Sequence, residues 1–188
     1  MPTWPGACAG LFMKRRLTRA IPLLLLASLW LGLAARRGNF GHLARPRLEP
    51  LVSLEVLDGD TYRLPGGDLV RLLSVDTPER GAPWFEGDQE PWASQASDFA
   101  RARIARTARL ELLTLDERDA HGRLLAHVLV DGEPLAALLA EAGLAAPTLT
   151  RFGDGGFPEQ ARDVARRARA TAFEPPWRWR RRHRREHE

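Results

Sequence analysis

Three short stretches combine acids, glycines and arginines in patterns that could do chemistry: Asp58-Gly59-Asp60-Thr61, Asp76-Thr77-Pro78-Glu79 and Asp119-Ala120-His121-Gly122-Arg123, with Arg71 a few residues ahead of Asp76. Carboxylates supply the hard oxygen donors that a calcium-like cation takes. Arginine supplies a permanent charge and a planar fork of donors that matches an anionic pair of oxygens. Taken singly, each stretch is also an ordinary turn: Asp-Gly closes hairpins, Pro78 punctuates a strand end, and His-Gly reverses a chain. Whether these side chains act together depends on the elements that hold them.

Those elements read as follows. Leu51–Leu57, Thr61–Leu64 and Leu69–Val75 are short apolar or alternating runs separated by Asp58-Gly59 and Pro65-Gly66-Gly67-Asp68, which predicts a three-stranded antiparallel meander. Thr77–Pro91, rich in Pro, Gly and acids, reads as a long exposed loop of the kind that is uncommon unless functional. Ala96, Phe99, Ala100, Arg103 and Ile104 fall at helical spacing within Ser94–Arg106. Ala108–Leu115 and Leu124–Val130 predict two more strands. A helix through Leu135, Leu138, Leu139 and Ala142 is stopped by Gly143, and a last helix over Pro158–Phe173 is ended by Pro175-Pro176. Five strands, with one helix between the third and fourth and two trailing, give an α+β fold: a five-stranded OB-type Greek-key barrel with three helices.

In order, spacing and strand context, the motifs resemble the staphylococcal nuclease (thermonuclease) family. Its V-x-D-G-D-T turn matches Val56–Thr61, its R-L-x-x-[VI]-D-x-P-E strand end matches Arg71–Glu79, and its later D-x-x-G-R turn matches Asp119–Arg123. The likeness continues through Ser94–Phe99, Asp131-Gly132 and Glu141–Ala145, covering about residues 50–173. It implies hydrolysis of phosphodiesters in DNA, RNA or both, leaving 3′-phosphates. Such a reaction places charge on oxygens that are already anionic, so fixed positive charge near them lowers the barrier. Arg71 and Arg123 would form that clamp. Asp60, Asp76 and the Thr77 carbonyl would hold Ca2+, with several water ligands and modest affinity. Glu79 would orient or deprotonate the attacking water.

The surround departs from the family. Where its pocket has tyrosines and a lysine, this sequence has His121, Leu149, Arg151 and Ala120, and Tyr62 is the sole tyrosine. His121 and Arg151 remain as candidate substrate-binding residues. Stacking contributes about 1–3 kcal/mol per base, so weaker nucleotide affinity with retained chemistry is expected.

Charge is distributed unevenly. Residues 48–173 carry 14 arginines against 21 acids, net −7, so the basic balance of the chain, +4 overall, comes from its ends. Lys14–Arg19 is a basic run ahead of sixteen uncharged residues, Ala20–Ala35, which is the layout of an export signal or an uncleaved anchor. Residues 1–37 therefore read as a signal peptide or signal anchor, 38–50 as a linker, 51–173 as the nuclease-like domain and 174–188 as a basic Trp/Arg tail. The expected location is extracytoplasmic: secreted, periplasmic, or membrane-anchored through residues 20–35, with a monomeric state. The single cysteine, Cys8, precedes this segment, so no disulfide is available to the domain. The tail reads either as a phosphate-gripping arm or as a solvated or membrane-surface segment. Two rival functions follow from the same residues: a catalytically silent OB-type module binding nucleic acid or protein, and an envelope component for nucleic-acid uptake.

Overall fold

The computed structural model describes residues 45–185. The segment read as a signal or anchor, including residues 20–35, lies outside them. No helix among the described residues is long and apolar enough to cross a membrane.

The predicted meander is present, as β2 (Glu55–Val56), β3 (Thr61–Arg63) and β4 (Leu69–Leu72), paired antiparallel through the two turns. The long hairpin β6 (Leu110–Arg118) and β7 (Leu124–Val130) lies alongside, with β7 running parallel to β4. Arg47–Pro50, placed in a linker by its prolines and charge, instead forms β1 and pairs with β6. A short β8 (Glu133–Pro134) adds to β7, giving a seven-stranded mixed sheet in the order β1-β6-β7-β4-β3-β2.

The α+β class holds, whereas the described residues do not bear out the count of five strands and three helices or the closure into a barrel. Among the described residues the sheet is open, with β1 and β2 at its edges. The run read as one strand over Leu69–Val75 breaks at Ser74, whose φ of 70° turns the chain out of β4. It re-enters as β5 (Val75–Asp76), which pairs with β9 (Ala146–Pro147) in a separate two-stranded ladder. Two-residue strands such as β5, β8 and β9 are too short to show an alternating pattern, so the sequence does not announce them.

Among the described residues there are five helices: α1 (Trp92–Arg106), α2 (Leu135–Glu141), α3 (Leu149–Phe152), α4 (Pro158–Arg167) and α5 (Pro176–His183). α2 is the central one. All of Leu135–Ala140 is buried, against the sheet and against α1 and α4, and Gly143 (φ 71°) ends the segment as expected. α4 stops at Arg167, short of Phe173. Pro175-Pro176 does not merely end a helix, because Pro176 opens α5, where a missing N–H costs nothing in the first turn.

The core joins Tyr62, Val70, Leu72, Leu112, Val128, Leu135 and Leu139, all at most 2% exposed. His127, on β7, is sealed within the fold with neither ring nitrogen hydrogen-bonded, its ring edge-on to Phe157 at 5.4 Å. Burial disfavours the imidazolium and lowers its pKa to about 4. Below its ordinary value of 6.5 the unfolded chain takes up a proton that the folded chain refuses, so stability is full above pH 6.5 and falls as pH drops towards 4. Denaturant titrations should show His127 contributing about 2 kcal/mol of lost stability between pH 7.5 and 5. His127→Leu should remove that component. An unchanged pH slope in the variant would contradict neutral burial.

Candidate active site

The turn Asp58–Thr61 is built by its own side chains. Asp58 Oδ1 accepts from the amides of Asp60 (2.9 Å) and Thr61 (2.6 Å), and the buried Tyr62 hydroxyl donates to the Gly59 carbonyl (2.6 Å). The sole tyrosine is thus a strut under the turn. Gly59 is required by proximity: a Cβ there would lie 2.8 Å from Thr77 Cβ and 2.9 Å from Ala96 Cβ. The turn therefore sits hard against the start of the 77–91 loop and the face of α1.

That proximity brings two motifs into one place. Asp60 and Asp76 are 2% and 0% exposed. Arg71 lies between them, donating through Nη1 to Asp60 Oδ1 and through Nη2 to Asp76 Oδ1. The β3–β4 register sets Arg71 opposite Thr61, and Leu72 N–H donates to the Asp60 carbonyl (2.8 Å), so strand pairing delivers the guanidinium to the carboxylates. Asp76 is fixed by pairing with Ala146 on β9. The remaining Asp60 oxygen accepts from the Thr77 amide (2.8 Å). Burial works against the Arg71 charge, but Asp60 and Asp76 more than offset it and raise its pKa above the ordinary value. Burial pushes the Asp60 carboxyl up, and Arg71 acts in the opposite sense.

Arg123 joins from the other side. Asp119 Oδ1 accepts from the amides of His121 (2.9 Å) and Arg123 (3.0 Å), while Asp119 Oδ2 accepts from Arg123 Nε (2.8 Å). The guanidinium so oriented donates through Nη1 to Thr61 Oγ1 (3.4 Å), and that hydroxyl donates to Asp60 Oδ1 (3.3 Å). A continuous hydrogen-bonded chain thus runs Arg123, Thr61, Asp60, Arg71, Asp76.

Glu79 stands at its end, held by Gln89 of its own loop and by Arg180 of the basic tail. Glu79 N–H donates to Gln89 Oε1 (3.1 Å) and Gln89 N–H returns to the Glu79 carbonyl (2.8 Å). The Gln89 amide, itself buried, also donates to the Glu174 carbonyl (2.7 Å), pinning the loop to the segment before α5. From α5, Arg180 donates to both Asp76 oxygens (3.2 and 2.7 Å) and to Glu79 Oε1. Burial raises the Glu79 carboxyl above its ordinary value, with Arg180 opposing that shift. Gln89 lies in no motif, and Arg180 lies in the tail read as a phosphate-gripping arm or a solvated or membrane-surface segment, not as a partner of Asp76 and Glu79.

The two substrate-binding candidates stand apart from this chain of contacts. His121 is exposed in the Arg123 turn. Arg151, on α3, is exposed and lies over Phe152 (5.1 Å) and Trp177 of α5 (5.9 Å).

Among the described residues, no cluster of three or more His, Cys, Asp or Glu side chains is arranged to hold a metal ion. The donor set is instead two carboxylates bridged by the Arg71 guanidinium, Asp76 also meeting Arg180, with the Thr77 backbone alongside. An all-oxygen donor set fits a calcium-like cation better than a zinc ion.

The family model for staphylococcal nuclease homologues matches residues 69–171, and the chain belongs to that family, whose fold is of the OB-type α+β class. Endonuclease YncB of Bacillus subtilis (strain 168) is 38% identical over 93 residues, 47% of this chain and 43% of that protein. The SPbeta prophage-derived endonuclease YokF of the same organism is 37% identical over 93 residues, 47% of this chain and 31% of that protein. Thermonuclease of Staphylococcus hyicus is 34% identical over 96 residues, 49% of this chain and 55% of that protein. The aligned stretches thus span from about a third to just over half of these relatives. The family match ends before α5, so Arg180 lies outside it.

The tight seat of Gly59 is open to test. Gly59→Ala should destabilise the protein by about 1–3 kcal/mol in chemical denaturation, because backbone and Thr77 must part to admit the methyl. Gly66→Ala, where a Cβ meets nothing within 4 Å, should shift stability by less than about 0.5 kcal/mol. Equal effects at the two sites would refute the close packing.

Proposed function

We propose that this chain is an extracytoplasmic, calcium-dependent nuclease that hydrolyses DNA, RNA or both and leaves 3′-phosphates. The observation that carries the reading is the hydrogen-bonded chain from Arg123 to Glu79, which gathers residues of three separate motifs at one place. Relatives named endonuclease and thermonuclease support it.

The division of labour follows from charge. Arg71 and Arg123 lie on either side of Asp60 and present N–H donors to oxygens that gain charge as water adds to phosphorus. Their orientation is set in advance by Asp60, Asp76 and Asp119, so little reorganisation is needed when substrate arrives. Asp60, Asp76 and the Thr77 carbonyl would hold the cation, which when bound polarises the phosphate. Glu79, with its proton affinity raised by burial, is suited to accept a proton from the attacking water. His121 and Arg151 would meet substrate beyond the scissile phosphate.

Outside the site, the exposed arginines of α5 would offset the acidity of the domain towards a polyanion. Arg178→Ala/Arg181→Ala should then reduce the slope of log binding constant against log salt by about two on duplex DNA. An unaltered slope would exclude those arginines from the interface.

The central experiment is an assay of the protein on single- and double-stranded DNA and RNA, with calcium and with EGTA. Glu79→Ala and Arg123→Gly should each lower cleavage by about 10²–10³-fold or more while the fold persists. Arg71→Gly should do the same and also cost roughly 3–5 kcal/mol of stability, because it leaves the buried Asp60 without a charged partner and Asp76 with Arg180 alone. Chelation should abolish activity and calcium restore it. A folded Glu79→Ala protein with near-full activity, or full activity in EGTA, would overturn the assignment.

A further inference from the structure

Arg180 makes contacts that a clamp for phosphate does not need. Its guanidinium turns away from solvent and onto the acids: Asp76 Oδ1 and Oδ2 both accept from it, as does Glu79 Oε1. With Arg71 already on Asp60 Oδ1 and Asp76 Oδ1, and the Thr77 amide on Asp60 Oδ2, every carboxylate oxygen of the Asp60–Asp76 pair is engaged by a donor. Two of those donors, Arg71 and the Thr77 amide, belong to the β4 strand and the loop that form the site. The third comes from the far end of the chain.

Arg180 is held there by its helix. Trp179 is 6% exposed, edge-on to Phe85 at 5.4 Å and stacked on His183 at 4.4 Å. Glu86 N–H donates to the His183 carbonyl (2.8 Å) and Arg185 N–H to the Trp84 carbonyl (3.1 Å), so α5 and the segment after it lie along the same loop that carries Glu79. The Gln89 bond to Glu174 ties the start of this segment to that loop as well. The seat is apolar and backbone-made, and Arg180 is a passenger on it.

We propose that Arg180 is a resident occupant of the cation site, so that its seating on Asp76 and Glu79 and the binding of a divalent cation exclude one another. This rests on the nuclease reading of the same residues. A dication approaching Asp76 must part it from one guanidinium, and cannot share a half-buried site with that like charge at contact distance without loss of affinity. One side chain thereby governs two parts of the machinery, since the Glu79 carboxylate is released with Asp76. The C-terminal helix becomes a latch whose opening is coupled to cation binding, and linkage requires the converse: calcium should loosen α5.

Calorimetric titration of the full-length protein with CaCl2 tests this. Arg180→Gln should bind calcium at least tenfold more tightly than the wild type, and Arg180→Lys, which keeps the charge but loses the fork, should fall between. Arg162→Gln, an exposed charge on α4, should match the wild type. Trp179→Ala, which unseats the helix without touching Arg180, should also tighten calcium binding, so the idea does not hang on one variant. In the wild type, calcium should speed amide hydrogen exchange over residues 176–183. Calcium affinity that is equal or weaker in both Arg180→Gln and Trp179→Ala overturns the latch. If those proteins still cleave in a Glu79-dependent way, the latch alone is lost. Tighter binding by Arg180→Gln in a protein that cleaves nothing upholds the occupancy and overturns the nuclease reading instead.

Discussion

Asp60 and Asp76 are almost wholly buried and face the same point, an arrangement that two carboxylates can hold only if positive charge lies between them. Arg71 supplies it, with one arm of its guanidinium on each. Much of the local architecture serves that contact. The β3–β4 register aims the arginine, the self-capped Asp58 turn aims Asp60, and the β5–β9 ladder holds Asp76 against it. A lysine could not make the same contact, because a single ammonium cannot present a planar pair of donors to two separate carboxylates.

Around this centre the fold behaves as a packed support. The turn at Gly59 is pressed against Thr77 and α1, and Tyr62 braces it from below, so the site is stiff on the side made by the sheet. On the other side stands a loop, Thr77–Pro91, with little regular structure of its own. Its position depends on Gln89, whose backbone and amide hold the Glu79 backbone on one side and the Glu174 carbonyl on the other. A rigid wall carrying the arginines and a loop carrying the acid is the division that the proposed nuclease chemistry would use, since electrostatic preorganisation needs the former and admission of substrate the latter.

The charge map takes on a structural meaning here. A domain of net −7 and a terminal run of arginines are not separate regions with separate partners. α5 lies on the acidic loop, and Arg180 and Arg182 pair with Asp76, Glu79 and Glu174. Part of the basic tail is thus consumed within the protein, and only its outward arginines remain for a polyanion.

The motif residues could be read from sequence because each is tied to a local backbone event: a hairpin turn at Asp58-Gly59, a strand end at Asp76, a self-capped turn at Asp119. Such events are written in neighbouring residues, and so were the helix over Leu135–Glu141 and the glycine that stops it. The open sheet, the break at Ser74 and the pairing of Arg47–Pro50 with β6 were not, since two-residue ladders and edge strands leave no periodic trace. Arg180 was further still from view: its partners lie 104 and 101 residues away, and nothing local distinguishes it from the arginines beside it. The sequence by itself determined which side chains carry the charges and oxygen donors of the proposed phosphate clamp and cation site, because those are properties of residue type and turn. Only the tertiary structure decided that a C-terminal arginine sits on the same carboxylates, because that depends on where a buried tryptophan about one helical turn past a proline pair finds its apolar seat.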